Sequence, residues 1–293
     1  MPWQQLVMDI GREDSERLED ALLAAGALAV SLEDAGDQPL FEPPPGATPL
    51  WDRLRLTGLL AQDADPVRVL LELAACCHPD PLPPHRIVPL ADEVWERAWL
   101  KDFKPMHFGR RLWVVPTAHT PPDPTAVNLR LDPGLAFGTG THPTTALCLE
   151  WLAAAELTGL RVIDYGCGSG ILGVAAALLG AAEVMAVDID PQALTATLEN
   201  ARRNGLSARI RTGRPGDVSE PAELLLANIL AGPLEQLAPR FCELLAPGGR
   251  LVMAGLLARH VVPLQAAYAD WIDLEPVAER DGWVCLAGRR PRA

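Results

Sequence analysis

The fold of this chain is decided by the stretch Asp164-Tyr165-Gly166-Cys167-Gly168-Ser169-Gly170. It follows a short apolar strand predicted over 161–164 and precedes a helix predicted over 170–179. Glycines at such a strand-to-helix turn let the backbone approach a ligand closely, and the N-terminus of the helix favours an anionic group. The stretch therefore predicts a cofactor-binding turn in an α/β protein.

Strands and helices alternate on the C-terminal side of this turn. Apolar periodicity predicts strands at 183–188, 208–212, 224–228 and 250–254, and helices at 191–204 and 233–245. This alternation is typical of a doubly wound, mostly parallel sheet. The last two predicted strands, 271–278 and 283–288, flank a short turn and indicate an antiparallel hairpin. A parallel sheet that closes with such a hairpin favours the class I methyltransferase architecture over a dinucleotide-binding one.

The glycine-rich turn by itself is compatible with two classes of cofactor. Residues 168–173 read Gly-Ser-Gly-Ile-Leu-Gly and match the dinucleotide fingerprint, which would indicate an NAD-dependent oxidoreductase. Asp188, at the end of the next strand, is suited to hold the ribose hydroxyls of either cofactor. Asp164 before the glycines, the additional Gly166 and the terminal hairpin favour S-adenosylmethionine. Its carboxylate suits the helix N-terminus, and Asp164 is placed to accept from its amino group.

Two further segments are predicted to line the same pocket. The first is the Gly-rich run 131–145, which opens a helix with Thr141 as its candidate cap and Pro143 in its first turn. The second is 227–231, Ala-Asn-Ile-Leu-Ala, which ends the fourth strand. A doubly wound sheet places its chemistry at that end of its strands. Asn228 is therefore a candidate active-site residue, and the alternative interpretation is an ordinary turn residue.

Residues 1–90 are predicted to form a smaller α+β domain. Its elements follow the order βαββαβ, which is typical of a ferredoxin-like unit. No set of residues with catalytic spacing occurs in it, so we assign it to substrate recognition. We predict a helical linker over 91–107 and a cofactor-binding domain over 108–293.

Composition narrows the class of protein. A chain of 293 residues with 49% hydrophobic and 22% charged residues suits two globular domains. The sequence shows neither an apolar run of the roughly 18 residues that a membrane helix needs nor a signal peptide, so we expect a cytoplasmic protein without membrane contact. The net charge of -13 argues against nucleic-acid binding. None of the six cysteines forms a Cys-x-x-Cys pair, so we predict no metal site.

Together these segments resemble the bacterial ribosomal protein L-eleven methyltransferase (PrmA) family. The resemblance is carried by 131–145, 162–172, 188–191 and 228–234. Shorter matches add Pro2-Trp3, Phe41-Glu42-Pro43, Trp95-Glu96-Arg97 and Arg111-Leu112-Trp113. The similarity therefore spans nearly the whole chain, and the run 131–145 is its most specific part.

The resemblance implies a monomeric enzyme that uses S-adenosylmethionine and releases S-adenosylhomocysteine. The methyl acceptors it implies are lysine side chains and the N-terminal amine of that ribosomal protein, up to trimethylation, with recognition by the N-terminal domain. A lysine methyltransferase of another protein is the alternative. Resemblance and motif together give the predicted donor contacts Thr139, Gly140, Thr145, Asp164, Gly166, Gly168, Gly170, Asp188 and Asn228.

Three residues are candidates for the chemistry itself. The side-chain carbonyl of Asn228, or the backbone after it, is predicted to accept an N–H from the substrate amine and to aim its lone pair. Phe137 is predicted to cover the donor or to stabilise the methylated cation through its ring face. His142 is a candidate for assisting proton loss, with a structural hydrogen bond at the helix start as the alternative. Near 213–221 the resemblance is weak, and Asp217 is the candidate adenine contact there.

Overall fold

The computed structural model describes residues 3–36, 38, 49–61, 63–77, 81–90, 103–132 and 138–292. The chain divides into two compact units, Met1–Val94 and Trp95–Ala293. This division falls within the linker predicted over 91–107. Residues 91–102 of that linker lie outside the described residues, as does Phe137.

The smaller unit is a four-stranded antiparallel sheet with two helices. Its elements are β1 Trp3–Gly11, α1 Ser15–Ala24, β2 Ala29–Asp34, β3 Arg53–Leu60, α2 Pro66–Cys77 and β4 His85–Leu90. The strands lie in the order β2-β3-β1-β4. This is the ferredoxin-like arrangement that the βαββαβ order predicts, and that part of the fold prediction is confirmed.

The core of the smaller unit lies between the sheet and its helices. Because side chains alternate along a strand, Leu6, Met8 and Ile10 of β1 point to the same face. They form one buried cluster with Leu18 and Leu22 of α1. The unit therefore has a hydrophobic core of its own, whose burial drives folding.

The described part of the larger unit begins with a small three-stranded sheet and a helix. Its elements are β5 Met106–Phe108, β6 Leu112–Val115, β7 Val127–Arg130 and α3 Pro143–Ala154. β5 pairs antiparallel with β6, and β6 pairs parallel with β7. These strands could not be predicted from the sequence, because three or four residues are too few for an alternating pattern to be recognised.

A seven-stranded sheet forms the centre of the larger unit. Its strands are β8 Arg161–Tyr165, β9 Glu183–Val187, β10 Ile210–Gly213, β11 Ala222–Asn228, β12 Leu245–Leu257, β13 Asp273–Arg280 and β14 Trp283–Arg289. They lie in the order β10-β9-β8-β11-β12-β14-β13, with β14 antiparallel to both of its neighbours. The predicted class I methyltransferase sheet with a terminal hairpin is confirmed.

Helices connect these strands. They are α4 Ile171–Leu178, α5 Pro191–Arg203, α6 Ala231–Gln236, α7 Ala238–Leu244 and α8 Val261–Tyr268. The single helix predicted over 233–245 was wrong, because the structure has two. Pro239 has no N–H to donate to the carbonyl of Glu235 four residues earlier, so the helical hydrogen-bond pattern is interrupted there.

Parallel pairing brings three strand ends to one edge of the central sheet. β8 pairs with β9 on one side and with β11 on the other, both in parallel. The glycine-rich turn after Tyr165, the segment after Val187 and the segment after Asn228 therefore leave the sheet side by side. This edge is where an open α/β sheet binds its ligands.

Candidate active site

The glycine-rich turn is held by backbone hydrogen bonds to the neighbouring strand. The N–H groups of Gly166 and Cys167 both donate to the carbonyl of Val187, at 2.7 and 3.0 Å. Gly166 has φ +76°, and a Cβ atom there would lie 2.2 Å from Cγ2 of Ile229. A side chain at this position would be strained and would also collide with the segment after β11. Glycine therefore lets the two strand ends approach each other.

Asp188 joins the end of β9 to the glycine-rich turn. One of its carboxylate oxygens accepts from the N–H of Gly168 at 3.0 Å, and the other accepts from the N–H of Asp190 at 3.0 Å. Asp190 in turn accepts from the N–H of Gln192 at 2.9 Å and caps α5. The carboxylate of Asp188 is half-buried at the ligand-binding edge. Its contact with a ribose remains a prediction.

Asp164 lies beneath the glycine-rich turn. Its side chain is 1% exposed, and Oδ2 accepts from the N–H of Gly173 in α4 at 2.8 Å. Burial raises the pKa of this carboxyl to about 7; the Gly173 bond opposes the rise, and the charge of Asp188 adds to it. Asp164 thus connects β8 to α4 through this hydrogen bond, a role that was not predicted from the sequence. Its contact with a donor amino group stays a prediction.

The segment 138–142 lies against the same turn. The hydroxyl of Ser169 donates to the carbonyl of Gly138, and the side-chain oxygens of Thr139 and Thr141 are 2.9 Å apart. Gly140 has φ +91°, which a residue with a side chain rarely adopts. The Gly-rich run and the glycine-rich turn, predicted separately to line one pocket, are therefore in contact.

Thr145 and Asn228 meet across this edge. Thr145 lies in the first turn of α3 and is 3% exposed, and Asn228 is the half-buried last residue of β11. Nδ2 of Asn228 donates to Oγ1 of Thr145 at 3.1 Å. Two of the predicted site residues are thus direct hydrogen-bond partners.

His142 caps α3. Its Nδ1 accepts from the N–H of Thr144 at 3.3 Å and lies 2.8 Å from the hydroxyl of the same residue. Thr141, the predicted cap, precedes the capping position by one residue, so that prediction was wrong. The imidazole lies edge-on to the ring of Trp283 at 5.0 Å, and desolvation lowers its pKa. In the structure, His142 thus makes a structural hydrogen bond as the cap of α3. Its role in proton loss remains a prediction.

The structure says less about the two remaining candidates, Phe137 and Asp217. Phe137 lies outside the described residues. Asp217 is exposed in a short 3-10 turn after β10, where its Oδ2 accepts from the N–H of Arg214 at 2.8 Å. Asp217 therefore stabilises its own turn, and its contact with adenine remains a prediction.

Two residues of α5 support the glycine-rich turn and were not predicted. The hydroxyl of Thr197 donates to the carbonyl of Gly168 at 3.2 Å, and Nδ2 of Asn200 donates to the carbonyl of Ser169 at 2.8 Å. Both side chains are buried. Polar residues at core-facing positions of an amphipathic helix were the available signal, because a buried polar group requires a partner.

The residues at this edge fit the predicted cofactor. S-adenosylmethionine carries a ribose, a flat adenine and an amino acid end. A half-buried carboxylate at Asp188 suits ribose hydroxyls, and the 81% exposed side chain of Ile189 beside it offers apolar surface to a ring. Gly170, in the left-handed conformation, turns the chain into α4, and the positive end of that helix's dipole favours a nearby carboxylate.

The described ranges contain neither a metal-binding cluster nor a membrane-spanning helix. No group of three or more His, Cys, Asp or Glu side chains among these residues is arranged to hold a metal ion. Over the same residues, every helix is too short or too polar to cross a membrane.

Comparison with known proteins identifies the family. The family model for ribosomal protein L11 methyltransferase (PrmA) matches residues 2–291. The ribosomal protein L11 methyltransferase of Pseudomonas aeruginosa (strain LESB58) is 53% identical over 292 residues, covering 99% of each chain. That of Methylococcus capsulatus is 54% identical over 290 residues, covering 98% of this chain and 99% of the relative.

A solved structure agrees with these relatives. The ribosomal protein L11 methylase of Lactobacillus delbrueckii subsp. bulgaricus is 33% identical, with a TM-score of 0.60, over 65% of this chain and 100% of that one. The predicted family resemblance is confirmed, and with it S-adenosylmethionine as the cofactor in place of NAD. The chain belongs to the ribosomal protein L11 methyltransferase (PrmA) family.

Proposed function

We propose that this chain transfers methyl groups from S-adenosylmethionine to amino groups of ribosomal protein L11. The proposed acceptors are lysine side chains and the N-terminal amine, up to trimethylation. Whole-chain membership of the family supports the substrate. The observation that carries the chemistry is the meeting of the glycine-rich turn, Asp188 and the Thr145–Asn228 pair at one edge of the sheet.

The substrate amine has to lose a proton before it can react. When bound, S-adenosylmethionine supplies an electrophilic methyl group on a positively charged sulfur. A lysine amine has a pKa of about 10.4, so neutralising it near pH 7 costs roughly 4 to 5 kcal/mol. Desolvation lowers that pKa, and the segment after Asn228 offers apolar surface through Ile229 and the 57% exposed Leu230. These side chains therefore favour the neutral, nucleophilic form.

Asn228 is the proposed catalytic residue. An amide oxygen accepts an N–H from the neutral amine and holds its lone pair toward the methyl group. Each methyl transfer removes one N–H, and the segment Asn228-Ile229-Leu230-Ala231 lacks the prolines and the aromatic residue found after this position in enzymes that methylate amides or adenine. A site with few fixed partners for the amine suits successive transfers to one nitrogen.

The smaller unit is the proposed substrate-recognition unit. Its core is separate from that of the larger unit, and none of the predicted cofactor contacts lies in it. We further propose that the enzyme works as a monomer in the cytoplasm, where a ribosomal protein would meet it. The net charge of -13 makes direct binding to nucleic acid unfavourable, so the protein component is the proposed partner.

Labelling with radioactive donor tests this function. Purified enzyme is incubated with methyl-labelled S-adenosylmethionine and either purified ribosomal protein L11 or a ribosomal extract from cells lacking the enzyme. We expect label in L11, and mass spectrometry of its peptides identifies the nitrogen atoms. Label in another protein only would identify a lysine methyltransferase of different specificity. Binding of NAD without binding of the methyl donor would contradict the proposal altogether.

Asn228→Ala tests the catalytic assignment. Removing the amide leaves the amine without its acceptor, so we expect kcat on L11 to fall by about 100-fold, the scale of a lost positioning contact. The donor dissociation constant, measured by calorimetry, should change by less than about threefold, because the lost contact is to the substrate amine and not to the donor. Equal losses in kcat and in donor affinity would assign Asn228 to donor binding instead.

A further inference from the structure

The side-chain amide of Asn204 connects the end of α5 to the end of β7. Its Oδ1 accepts from the backbone N–H of Arg130 at 2.8 Å, and its Nδ2 donates to the carbonyl of the same residue at 2.9 Å. Arg130 ends β7, which lies at the edge of its three-stranded sheet within the described residues. An edge strand leaves backbone groups unpaired, and the Asn204 amide pairs with two of them as a neighbouring strand would.

The partners of this amide fix its orientation. A backbone N–H can only donate and a backbone carbonyl can only accept, so Oδ1 has to face the N–H of Arg130. Nδ2 also donates to the carbonyl of Asn200 at 2.8 Å, within α5. Capping of the helix end accounts for this last bond alone. The other two bonds leave the helix for a residue 74 positions earlier in the chain.

The same face of α5 also holds the glycine-rich turn. Thr197, Asn200 and Asn204 recur at helical spacing and therefore share one side of the helix. Thr197 donates to the carbonyl of Gly168 at 3.2 Å, and Asn200 donates to that of Ser169 at 2.8 Å. One helix face is thus bonded both to the glycine-rich turn and to the strand from which the Gly-rich run 131–145 departs.

We propose that Asn204 is a positioning residue for donor binding, which fixes the point where the Gly-rich run leaves β7. Leu131, the first residue of the run, follows Arg130 directly. Its side chain is fully buried, and its N–H donates to the carbonyl of Val115 in β6 at 3.2 Å. Asn204 therefore holds one edge of the chain at this point while β6 holds the other. The inference rests on the donor site of the proposed function and gives Asn204 no contact with the donor itself.

A second fixed point lies farther along the run. The hydroxyl of Ser169, in the glycine-rich turn, donates to the carbonyl of Gly138. The predicted donor contacts Thr139 and Gly140 follow directly. Because α5 also holds the glycine-rich turn, both fixed points of the run depend on the same helix. A segment that is held at two points before the ligand arrives loses less conformational freedom on binding, so these bonds should raise donor affinity.

Donor affinity of Asn204→Ala tests the proposal. The variant removes both bonds to Arg130, and we expect the dissociation constant of S-adenosylmethionine, measured by calorimetry, to rise about 10-fold. At saturating donor, kcat on L11 and KM for L11 should stay within about threefold of wild type, because the bound donor again orders the run. Unchanged donor affinity in the folded variant would overturn the proposal, and so would a loss confined to kcat.

Asn128→Ala is the matched control. Nδ2 of Asn128 donates to the backbone carbonyls of Asp123 and Ala126, so this side chain also fixes backbone next to β7, but at the beginning of the strand. Thermal unfolding should show that both variants are less stable than wild type, whereas only Asn204→Ala should bind the donor more weakly. Equal weakening by the two variants would assign the effect to a general loss of stability and would overturn the proposal.

Asn204→Asp is a second variant, and it preserves the shape of the side chain. It can still accept from the N–H of Arg130, but it turns a carboxylate oxygen toward the carbonyl of that residue, and two acceptors repel each other. We expect its donor dissociation constant to rise at least as much as that of Asn204→Ala. Wild-type donor affinity in Asn204→Asp would contradict the proposal.

Hydrogen exchange in wild type supplies a measurement that needs no variant. The N–H groups of Arg130 and Leu131 lie where the run leaves β7, whereas the N–H of Val127 bonds to the carbonyl of Arg111 at the start of the strand. We expect saturating S-adenosylmethionine to slow exchange at Arg130 and Leu131 more than at Val127. Equal slowing at all three, or at none, would overturn the proposal. If wild type gave the expected result but did not methylate L11, the proposed substrate would fail while the role of Asn204 stood.

Discussion

At the scale of single residues, the buried carboxyl of Asp164 makes the larger unit sensitive to pH. Its pKa is raised from 3.8 to about 7, chiefly by burial. A carboxyl with a raised pKa binds its proton more tightly in the folded protein than in the unfolded chain. The stability that this provides is complete below pH 3.8 and is lost as pH rises through about 7.

Asp164→Asn should flatten the dependence of stability on pH. The shift from 3.8 to about 7 corresponds to about 4 kcal/mol, so the wild-type free energy of unfolding should fall by about 1.4 kcal/mol per pH unit over this range. Asparagine cannot ionise, and its oxygen can still accept from Gly173. Urea unfolding from pH 5 to pH 8 measures how the free energy of unfolding changes with pH in wild type and in Asp164→Asn. Asp270→Asn, at an exposed position, is the control. Parallel curves for wild type and Asp164→Asn would contradict the assignment.

The places of single residues could be predicted from the sequence where the end of a strand decides them. Asp188 directly follows β9 and Asn228 ends β11, and parallel pairing brings strand ends together, so both could be expected at one edge. The hydrogen bond from Asn228 to Thr145 could not be predicted, because it depends on the path of the chain between 145 and 228. The same limit applies to Asp164, whose bond to Gly173 depends on how α4 packs on β8.

At the scale of elements, the start of α3 determines how the Gly-rich run joins the site. Pro143 follows the cap and, lacking an N–H, leaves one fewer backbone donor to satisfy in the first turn. His142 then satisfies the N–H of Thr144 with Nδ1. A lowered pKa keeps the imidazole neutral near pH 7, and only the neutral ring has an acceptor nitrogen. The cap is therefore lost as pH falls through that pKa.

His142 variants separate capping from catalysis. His142→Ala removes the cap, and we expect the free energy of unfolding to fall by about 1 kcal/mol. His142→Asn should restore stability, because asparagine is among the best N-caps. If the imidazole only caps the helix, His142→Asn also restores kcat and leaves the pH dependence of the rate unchanged. Restored stability with a low kcat would instead show that the imidazole assists proton loss.

The length of an element, and whether a proline interrupts it, decided how well it could be predicted from the sequence. Helix α5 has a proline at its start and a run of thirteen residues, and its predicted bounds 191–204 differ from the structure by one residue. Strands β5 to β7 were missed because they are short. The interruption at Pro239 was overlooked although proline is a known helix breaker, because the apolar spacing continues on both sides.

At the scale of the whole molecule, the alternation of strands and helices was enough to predict both architectures. The order βαββαβ and the terminal hairpin each restrict the sheet topology strongly, because few arrangements avoid crossed connections. The glycine-rich turn alone was compatible with two cofactors, and the terminal hairpin, the run 131–145 and Asn228 were needed to decide between them. The two units also have separate hydrophobic cores, as is expected of units that can fold alone.

A fragment of residues 103–293 should separate donor binding from substrate recognition. It contains the glycine-rich turn, Asp188 and the Thr145–Asn228 pair, together with the two cores of the central sheet. Because these features need no residue of the smaller unit, we expect the fragment to bind S-adenosylmethionine within about threefold of the full chain by calorimetry. It should methylate L11 at less than about one hundredth of the full-length kcat/KM, since the recognition surface is absent. Circular dichroism and thermal unfolding establish that the fragment is folded before this comparison. A folded fragment with full activity on L11 would assign substrate recognition to the larger unit.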